Sequence, residues 1–164
     1  MKKLKVGVIG LGSRGYGMMR GISKPPDIEV VAVCDEYPDR VQRALDYLKA
    51  RFDYETVGDV DYKKILEIED LEAVYIATAW ESHVRIAIDS LSKGIPTALE
   101  VGGAYSIEEC WDLVRTWEKT KTPFMFMENC CFGKDELLAT SMARAELFGE
   151  IVHCSGAYSH DLRE

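Results

Sequence analysis

Three glycines near the N-terminus have the spacing of a loop that can bind phosphate groups. Gly10, Gly12 and Gly15 form the pattern Gly-x-Gly-x-x-Gly directly after an apolar run over residues 4–9. The run predicts a strand, and the residues after it predict a helix. In that context Gly10 permits a tight turn, Gly12 lets the backbone approach a pyrophosphate, and Gly15 lets the helix pack closely on the sheet. The pyrophosphate then lies at the positive end of the helix dipole.

An acidic residue completes this pattern. Asp35 ends the second apolar run, at the distance from the glycines where a carboxylate accepts hydrogen bonds from the adenosine ribose. Its charge repels a 2′-phosphate, so the predicted cofactor is NAD rather than NADP. Arg14 weakens that preference, because a guanidinium near the ribose could pair with a phosphate instead. A plain glycine turn is the alternative, but the strand, helix and acid together favour a dinucleotide site.

Polar and aromatic residues follow three later apolar runs, in loops over residues 78–83, 100–103 and 128–131. The carboxyl ends of parallel strands meet at one edge of a sheet, so we expect these loops to line one cleft. The residues suited to a nicotinamide ribose and a polyol are Trp80, Glu81, His83, Glu100 and Asn129. Each of them could instead have a purely structural role, such as capping a helix.

The elements that position these residues alternate between strand and helix as far as residue 148. This alternation predicts an α/β fold, a doubly wound parallel sheet of the Rossmann type with helices on both faces. The predicted strands cover residues 4–9, 28–34, 73–77, 97–99 and 124–127, with a weaker candidate at 54–57. Pro38 suits a first helical turn, Ser106 and Glu109 form a capping box, and Gly94 and Gly149 mark helix ends.

The last residues break this alternation. Residues 150–158 predict one more strand, followed by a polar tail. A lone strand cannot form a second core, so it packs on its own domain, packs on a partner chain, or begins a domain that is truncated. Truncation is the favoured interpretation. The predicted domains are therefore an NAD-binding Rossmann domain over residues 1–148 and the start of a truncated C-terminal substrate domain over residues 149–164.

Composition limits the partners. The net charge of −8 argues against nucleic acid, because binding to a phosphate backbone needs a cationic surface. No apolar run approaches the roughly 20 residues that span a bilayer, and no signal-peptide core follows Met1, so we expect no membrane partner and a cytoplasmic location. Five cysteines without a Cys-x-x-Cys pair indicate neither a disulfide framework nor a metal site. We expect reduced thiols, most of them buried.

Two segments resemble those of the Gfo/Idh/MocA oxidoreductase family. Residues 78–83, Thr-Ala-Trp-Glu-Ser-His, are similar to its T-P-x-x-x-H segment, and Glu100-Val101-Gly102 occupies the place of its E-K-P. The resemblance implies an N-terminal Rossmann domain followed by a C-terminal domain built on an open antiparallel sheet. The lysine that assists proton transfer in the family's dehydrogenases is Val101 here.

A narrower group within that family also lacks the lysine. Residues 80–83, 100–101, 108–111, 128–131 and 149–163 resemble the NAD-dependent α-N-acetylgalactosaminidase-type glycosidases. Gly102 departs from this group, which usually has proline there. The resemblance implies hydrolysis of a glycoside through transient oxidation at sugar C3, with NAD recycled in place.

The resemblance also implies site residues. The positions similar to NAD contacts are Ser13, Arg14, Asp35, Trp80, Glu81, His83, Glu100, Val101 and Asn129. Tyr158 is similar to a substrate-contacting tyrosine, and His160 lies beside it, so both are candidate catalytic residues. The isolated chain is expected to be inactive, because most substrate contacts are absent.

Two other functions remain open. The first is an ordinary NAD-dependent sugar or polyol dehydrogenase, and the second is a non-catalytic nucleotide-binding module. In each case the expected partners are a small sugar or glycoside and a second copy of the chain, since an exposed final strand favours a homo-oligomer.

Overall fold

The computed structural model describes residues 2–157 and 159. The chain forms two compact units, Met1–Met127 and Glu128–Glu164. The domain boundary expected from the sequence lies at residue 148, so it assigns the helix over Lys134–Arg144 to the first domain. That assignment stays a prediction.

The first unit is built on a six-stranded sheet in which every neighbouring pair is parallel, in the order β3-β2-β1-β4-β5-β6. The strands are β1 (Leu4–Ile9), β2 (Ile28–Cys34), β3 (Val57–Asp59), β4 (Ala73–Ile76), β5 (Thr97–Leu99) and β6 (Phe124–Phe126). The predicted parallel sheet is confirmed. The weak candidate over residues 54–57 is shifted, because pairing with β2 begins only at Val57.

Five helices connect these strands: α1 (Ser13–Ile22), α2 (Pro38–Lys49), α3 (Tyr62–Ile65), α4 (Trp80–Ser92) and α5 (Ile107–Thr120). Pro38 occupies the first turn of α2, where its missing N–H costs nothing. The Ser106 hydroxyl accepts the Glu109 N–H at 3.1 Å, as a capping box requires. The Glu109 carboxylate reaches back to the N–H of Tyr105 rather than to that of Ser106. Gly94 ends α4 with φ +76°.

The core has two parts, one on each face of the sheet. Val8 belongs to the cluster with Met19 and Leu48, whereas the next residue, Ile9, belongs to the cluster with Ile86. Successive side chains of a strand point to opposite faces, so helices on both sides are needed to cover this sheet. The predicted doubly wound architecture is thereby confirmed.

The second unit contains a short 3-10 helix (Cys130–Phe132) and helix α6 (Lys134–Arg144). Helix α6 ends at Arg144 rather than at Gly149, which has φ +64°, so the helix end predicted at Gly149 is wrong. Residues 150–157 form no strand, so the predicted strand over residues 150–158 is wrong for the part of it that is described. An apolar run becomes a strand only through hydrogen bonds to a neighbouring strand. Here Ile151 and Val152 are left exposed.

Four of the five cysteines are exposed, and only Cys34 is buried. The expectation that most are buried is therefore wrong. Burial raises the pKa of the Cys34 thiol to about 12. Within the described part of the chain, no helix is long and apolar enough to cross a membrane.

Candidate functional site

The glycine loop joins β1 to α1 and leaves no room for side chains at two of its glycines. Gly10 has φ +95°, and a Cβ atom there would lie 2.5 Å from the backbone of Ala77. A Cβ atom at Gly15 would overlap the carbonyl oxygen of Gly10. At Gly12 no atom lies within 4 Å of the corresponding position. Gly10 and Gly15 therefore serve close packing, whereas Gly12 leaves open space in which a ligand can approach the backbone.

The N-terminus of α1 lies at this open space. Gly12 is the N-cap residue and has no side chain with which to cap the helix. The helix bonding begins with the Tyr16 N–H, which donates to the Gly12 carbonyl at 2.9 Å. The N–H groups before it have no intrahelical acceptor and lie at the positive end of the helix dipole. This is an arrangement that binds a pyrophosphate.

A cleft of about 790 Å³ opens at the carboxyl ends of β1, β2 and β4. Its volume lies in the range of pockets that hold small-molecule cofactors. The predicted site residues that line it are Gly10, Gly12, Ser13, Arg14, Asp35 and Glu81. Other polar residues of the lining are Glu36, Arg40, Asp61, Tyr62, Thr78, Ser82 and Arg85.

Asp35 is buried and braces the glycine loop. Its Oδ2 accepts the N–H of Leu11 at 2.6 Å, and its Oδ1 accepts the N–H of Tyr37 at 3.0 Å. Arg40 lies 3.4 Å from the same Oδ1. The Leu11 carbonyl in turn accepts a hydrogen bond from Arg43 at 3.1 Å. The loop is thus held from both sides by the end of β2 and by α2, and Asp35 has two backbone partners before any ligand binds.

Glu100, at the end of β5, is the acceptor of a second network. Arg14 donates to its Oε1 from Nε at 3.0 Å and from Nη2 at 2.9 Å, and the Tyr75 hydroxyl donates to the same oxygen at 2.7 Å. Glu100 is buried and does not line the cleft, and no donor from the described residues reaches its Oε2. Burial and the Glu100 contact raise the pKa of Tyr75, so its phenol stays a donor.

The contact of Arg14 with a 2′-phosphate stays a prediction. The sequence allowed its guanidinium to lie near the adenosine ribose and pair with a 2′-phosphate. In the structure Arg14 lines the same cleft as Asp35 and pairs with Glu100, and this contact raises the pKa of Arg14. Two nitrogens of the guanidinium donate to this carboxylate, and such charge-assisted hydrogen bonds are stronger than those between neutral groups.

His83 lies inside the fold rather than at the surface of the cleft, with 1% of its surface exposed. Its Nε2 lies 3.0 Å from the Thr78 carbonyl, which can accept a hydrogen bond from the ring N–H, and its buried Nδ1 has no partner among the described residues. Burial lowers the pKa of the imidazole, which favours the neutral ring. The structure therefore gives His83 a role in shaping the turn at Thr78, and its contact with NAD stays a prediction.

Trp80 and Val101 are placed next to Gly102 rather than in the lining of the cleft. Gly102 has φ +96°, and a Cβ atom there would overlap the indole of Trp80. Proline cannot adopt this φ, because its ring holds φ near −65°. The glycine that departs from the glycosidase pattern is therefore matched to its local structure, with Trp80 over the space that a side chain would need. Direct NAD contacts of Trp80 and Val101 stay predictions.

The remaining predicted residues lie outside the first unit. Asn129 is exposed in the second unit, just before the 3-10 helix. Tyr158 and His160 lie outside the described residues. Their roles stay predictions.

Sequence reasoning missed several residues of the cleft. Arg40, Tyr62 and Arg85 come from helices, where periodicity reveals the buried face but not which polar residue faces a ligand. Glu36 directly follows Asp35 at the carboxyl end of β2, and this position next to a predicted site residue could have identified Glu36 as part of the cleft.

The sheet order and the glycine loop define the class of protein. The order 3-2-1-4-5-6 reverses direction between β1 and β4, which is where dinucleotides bind in Rossmann folds, and the cleft lies there. The chain matches the model of the oxidoreductase family with an NAD-binding Rossmann fold over residues 4–127. It belongs to the Gfo/Idh/MocA oxidoreductase family, and its cofactor is NAD. Residues 132–164 match the model of the glycosyl hydrolase 109 C-terminal domain.

Curated relatives resemble the chain over its whole length. It is 38% identical to a glycosyl hydrolase family 109 protein of Porphyromonas gingivalis, over 100% of this chain and 36% of that protein. It is 35% identical to an α-N-acetylgalactosaminidase of Shewanella oneidensis, over 99% of this chain and 36% of that protein. The chain thus spans about a third of the length of these relatives.

Solved structures share the fold. A WlbA dehydrogenase from Chromobacterium violaceum, in complex with NADH and UDP-GlcNAcA, has a TM-score of 0.83 at 18% identity, over 91% of this chain and 42% of that one. A scyllo-inositol dehydrogenase from Lactobacillus casei, with NAD(H) and scyllo-inositol, has a TM-score of 0.81 at 20% identity, over 91% and 43%.

Proposed function

We propose that this chain is the cofactor-binding part of a glycosidase that uses NAD for transient oxidation at sugar C3. The observation that carries the proposal is Val101, which follows Glu100 where the family's dehydrogenases have a lysine. A valine side chain has no proton to exchange with a sugar hydroxyl. The identity to an α-N-acetylgalactosaminidase along almost the whole chain supports the same function.

The residues of the first unit hold the cofactor at three points. The N–H groups at the start of α1 bind the pyrophosphate, and the pocket beside Asp35 receives the adenosine ribose. Glu100 is our candidate acceptor for a hydroxyl of the nicotinamide ribose, and Arg14 and Tyr75 hold its carboxylate in place through Oε1. Bound NAD supplies a reversible hydride acceptor, which makes the sugar C2 proton acidic while C3 is a ketone.

The proton at C2 has to be removed by a base, and Tyr158 and His160 are our candidates. A phenol or imidazole can do this within hydrogen-bond reach of the proton. With NAD supplying reversible oxidation at C3, elimination of the aglycone and addition of water would give hydrolysis without net oxidation. This route differs from that of glycosidases that use paired carboxylates.

The test uses the full-length protein with p-nitrophenyl α-N-acetylgalactosaminide and NAD. We expect release of nitrophenol without a lasting rise in absorbance at 340 nm, and deuterium at C2 of the product in D₂O. Tyr158→Phe is expected to reduce the rate more than tenfold while leaving NAD affinity unchanged, and Tyr105→Phe, an exposed tyrosine, is the matched control.

Two results contradict the proposal. Net accumulation of NADH with a free sugar identifies an ordinary dehydrogenase. NAD binding without turnover of any sugar in a panel identifies a non-catalytic module. The homo-oligomer and the cytoplasmic location remain proposals as well, and light scattering on the full-length protein measures the first of them.

A further inference from the structure

Two neighbouring carboxylates at the adenosine end of the cleft differ in what they contact. Asp35 is buried and accepts the N–H groups of Leu11 and Tyr37, with Arg40 beside it. Glu36 is exposed, lines the same cleft, and has no hydrogen-bond or ion-pair partner among the described residues. The negative charge of Asp35 is therefore largely compensated, whereas that of Glu36 has no compensating partner among the described residues.

Arg40 is a cation of the cleft lining that lies beside Asp35. Its guanidinium lies over the ring of Tyr37, 4.3 Å from the centroid, and its side chain is 40% exposed. The contact with Asp35 is long, at 3.4 Å, and involves only Nη1. The other nitrogens of the guanidinium are free of partners in the described part of the chain, so they can bind a phosphate oxygen.

We propose that Glu36, rather than Asp35, makes this site exclude NADP(H), and that Arg40 is a phosphate anchor whose effect Glu36 cancels. A 2′-phosphate adds a charge of about −2 at neutral pH, next to the position where a ribose hydroxyl meets the end of β2. An uncompensated carboxylate there repels it. Asp35 contributes mainly by bracing the glycine loop, so its removal weakens both cofactors instead of changing the preference between them.

This inference rests on NAD binding at the glycine loop and not on the glycosidase reaction. A binding experiment therefore separates it from the proposed function. NADH and NADPH are titrated against the full chain by isothermal calorimetry, at a fixed moderate ionic strength because phosphate contacts depend on salt. The variants are Glu36→Gln, Arg40→Ala, the double variant of these two, and Asp35→Asn. Glu118→Gln, on the exposed face of α5, is the control.

We expect the unsubstituted chain to bind NADH at least 100-fold more tightly than NADPH. Glu36→Gln is expected to strengthen NADPH binding at least tenfold while NADH binding changes by less than threefold, and adding Arg40→Ala removes that gain. Asp35→Asn is expected to weaken both cofactors and lower the melting temperature. Glu118→Gln should change neither.

Three outcomes overturn the inference. The first is relief of NADPH exclusion by Asp35→Asn and not by Glu36→Gln. The second is a gain in Glu36→Gln that survives the Arg40→Ala substitution. The third is binding of NADH and NADPH within tenfold of each other by the unsubstituted chain. Failure of glycoside cleavage with all the expected binding results would contradict the proposed function alone.

Discussion

Arg14 and Glu100 are 86 residues apart in the sequence, and two nitrogens of the arginine meet one oxygen of the glutamate at 2.9 and 3.0 Å. Arg14 lies in the first turn of α1, and Glu100 follows β5. Their contact joins the glycine loop to the far half of the sheet. It uses one oxygen of Glu100, and no donor from the described residues reaches the other.

Arg14→Ala tests this role. The substitution leaves Glu100 buried with only the Tyr75 hydroxyl as a donor. Because the arginine is about half exposed, we expect the free energy of unfolding to fall by only about 1–2 kcal/mol. NADH affinity is expected to fall at least tenfold, measured by calorimetry. Arg115→Ala removes an exposed pair on α5 and serves as the control. Equal effects of the two substitutions would contradict the assignment.

The glycines of the loop should respond differently to alanine. Gly15→Ala places a Cβ atom against the Gly10 carbonyl, so we expect a loss of about 1–3 kcal/mol in stability from overpacking. Gly12→Ala meets no protein atom and should leave stability within about 0.5 kcal/mol, while NADH binding falls at least tenfold. Urea unfolding and calorimetry measure the two effects. Gly17→Ala, also without close neighbours, is the helical control.

The burial of His83 leads us to expect that the free energy of unfolding depends on pH. Burial lowers its pKa in the folded state, so the unfolded chain binds this proton more readily, starting near the ordinary value of 6.5. The stabilisation is therefore present above pH 6.5 and is lost as the pH falls toward the folded pKa. We expect urea unfolding of the unsubstituted protein to show a decline between pH 7.5 and 5.5 that His83→Gln reduces.

The exposed His153 provides the comparison for this measurement. His153→Gln should retain the full decline of stability with pH. A decline that His83→Gln leaves unchanged would show that other groups cause it.

Gly102→Pro tests whether the local structure requires glycine at this position, where the glycosidase pattern has proline. The left-handed φ of +96° and the indole of Trp80 both exclude proline, so we expect a loss of more than about 1 kcal/mol in stability. The fluorescence of Trp80 should shift as the indole is displaced. Gly21→Ala, in an uncrowded helical position, should be neutral or stabilising by about 0.5–1 kcal/mol. A proline variant as stable as the unsubstituted protein would contradict the expectation.

Much of the first unit could be predicted because the signals are local. A buried parallel strand is a continuous apolar run, and a helix end needs a particular residue at a particular place, as Pro38 and Ser106 show. The run over residues 150–158 had the same local signal as the others and formed no strand in its described part. A strand also needs a neighbouring strand with which to form hydrogen bonds, and the local sequence pattern does not show whether one is present.

By itself, the sequence determined the order of strands and helices, the glycines of the loop and the acid at the end of β2, because period and backbone freedom are properties of neighbouring residues. Only the tertiary structure decided what each polar side chain contacts. It placed Arg14 against Glu100, paired Asp35 with the N–H of Leu11 in the glycine loop, and left Glu36 exposed. These contacts depend on which residues, distant in the sequence, come close in the folded chain. A buried carboxylate needs hydrogen-bond donors, and only the tertiary structure brings those donors to it.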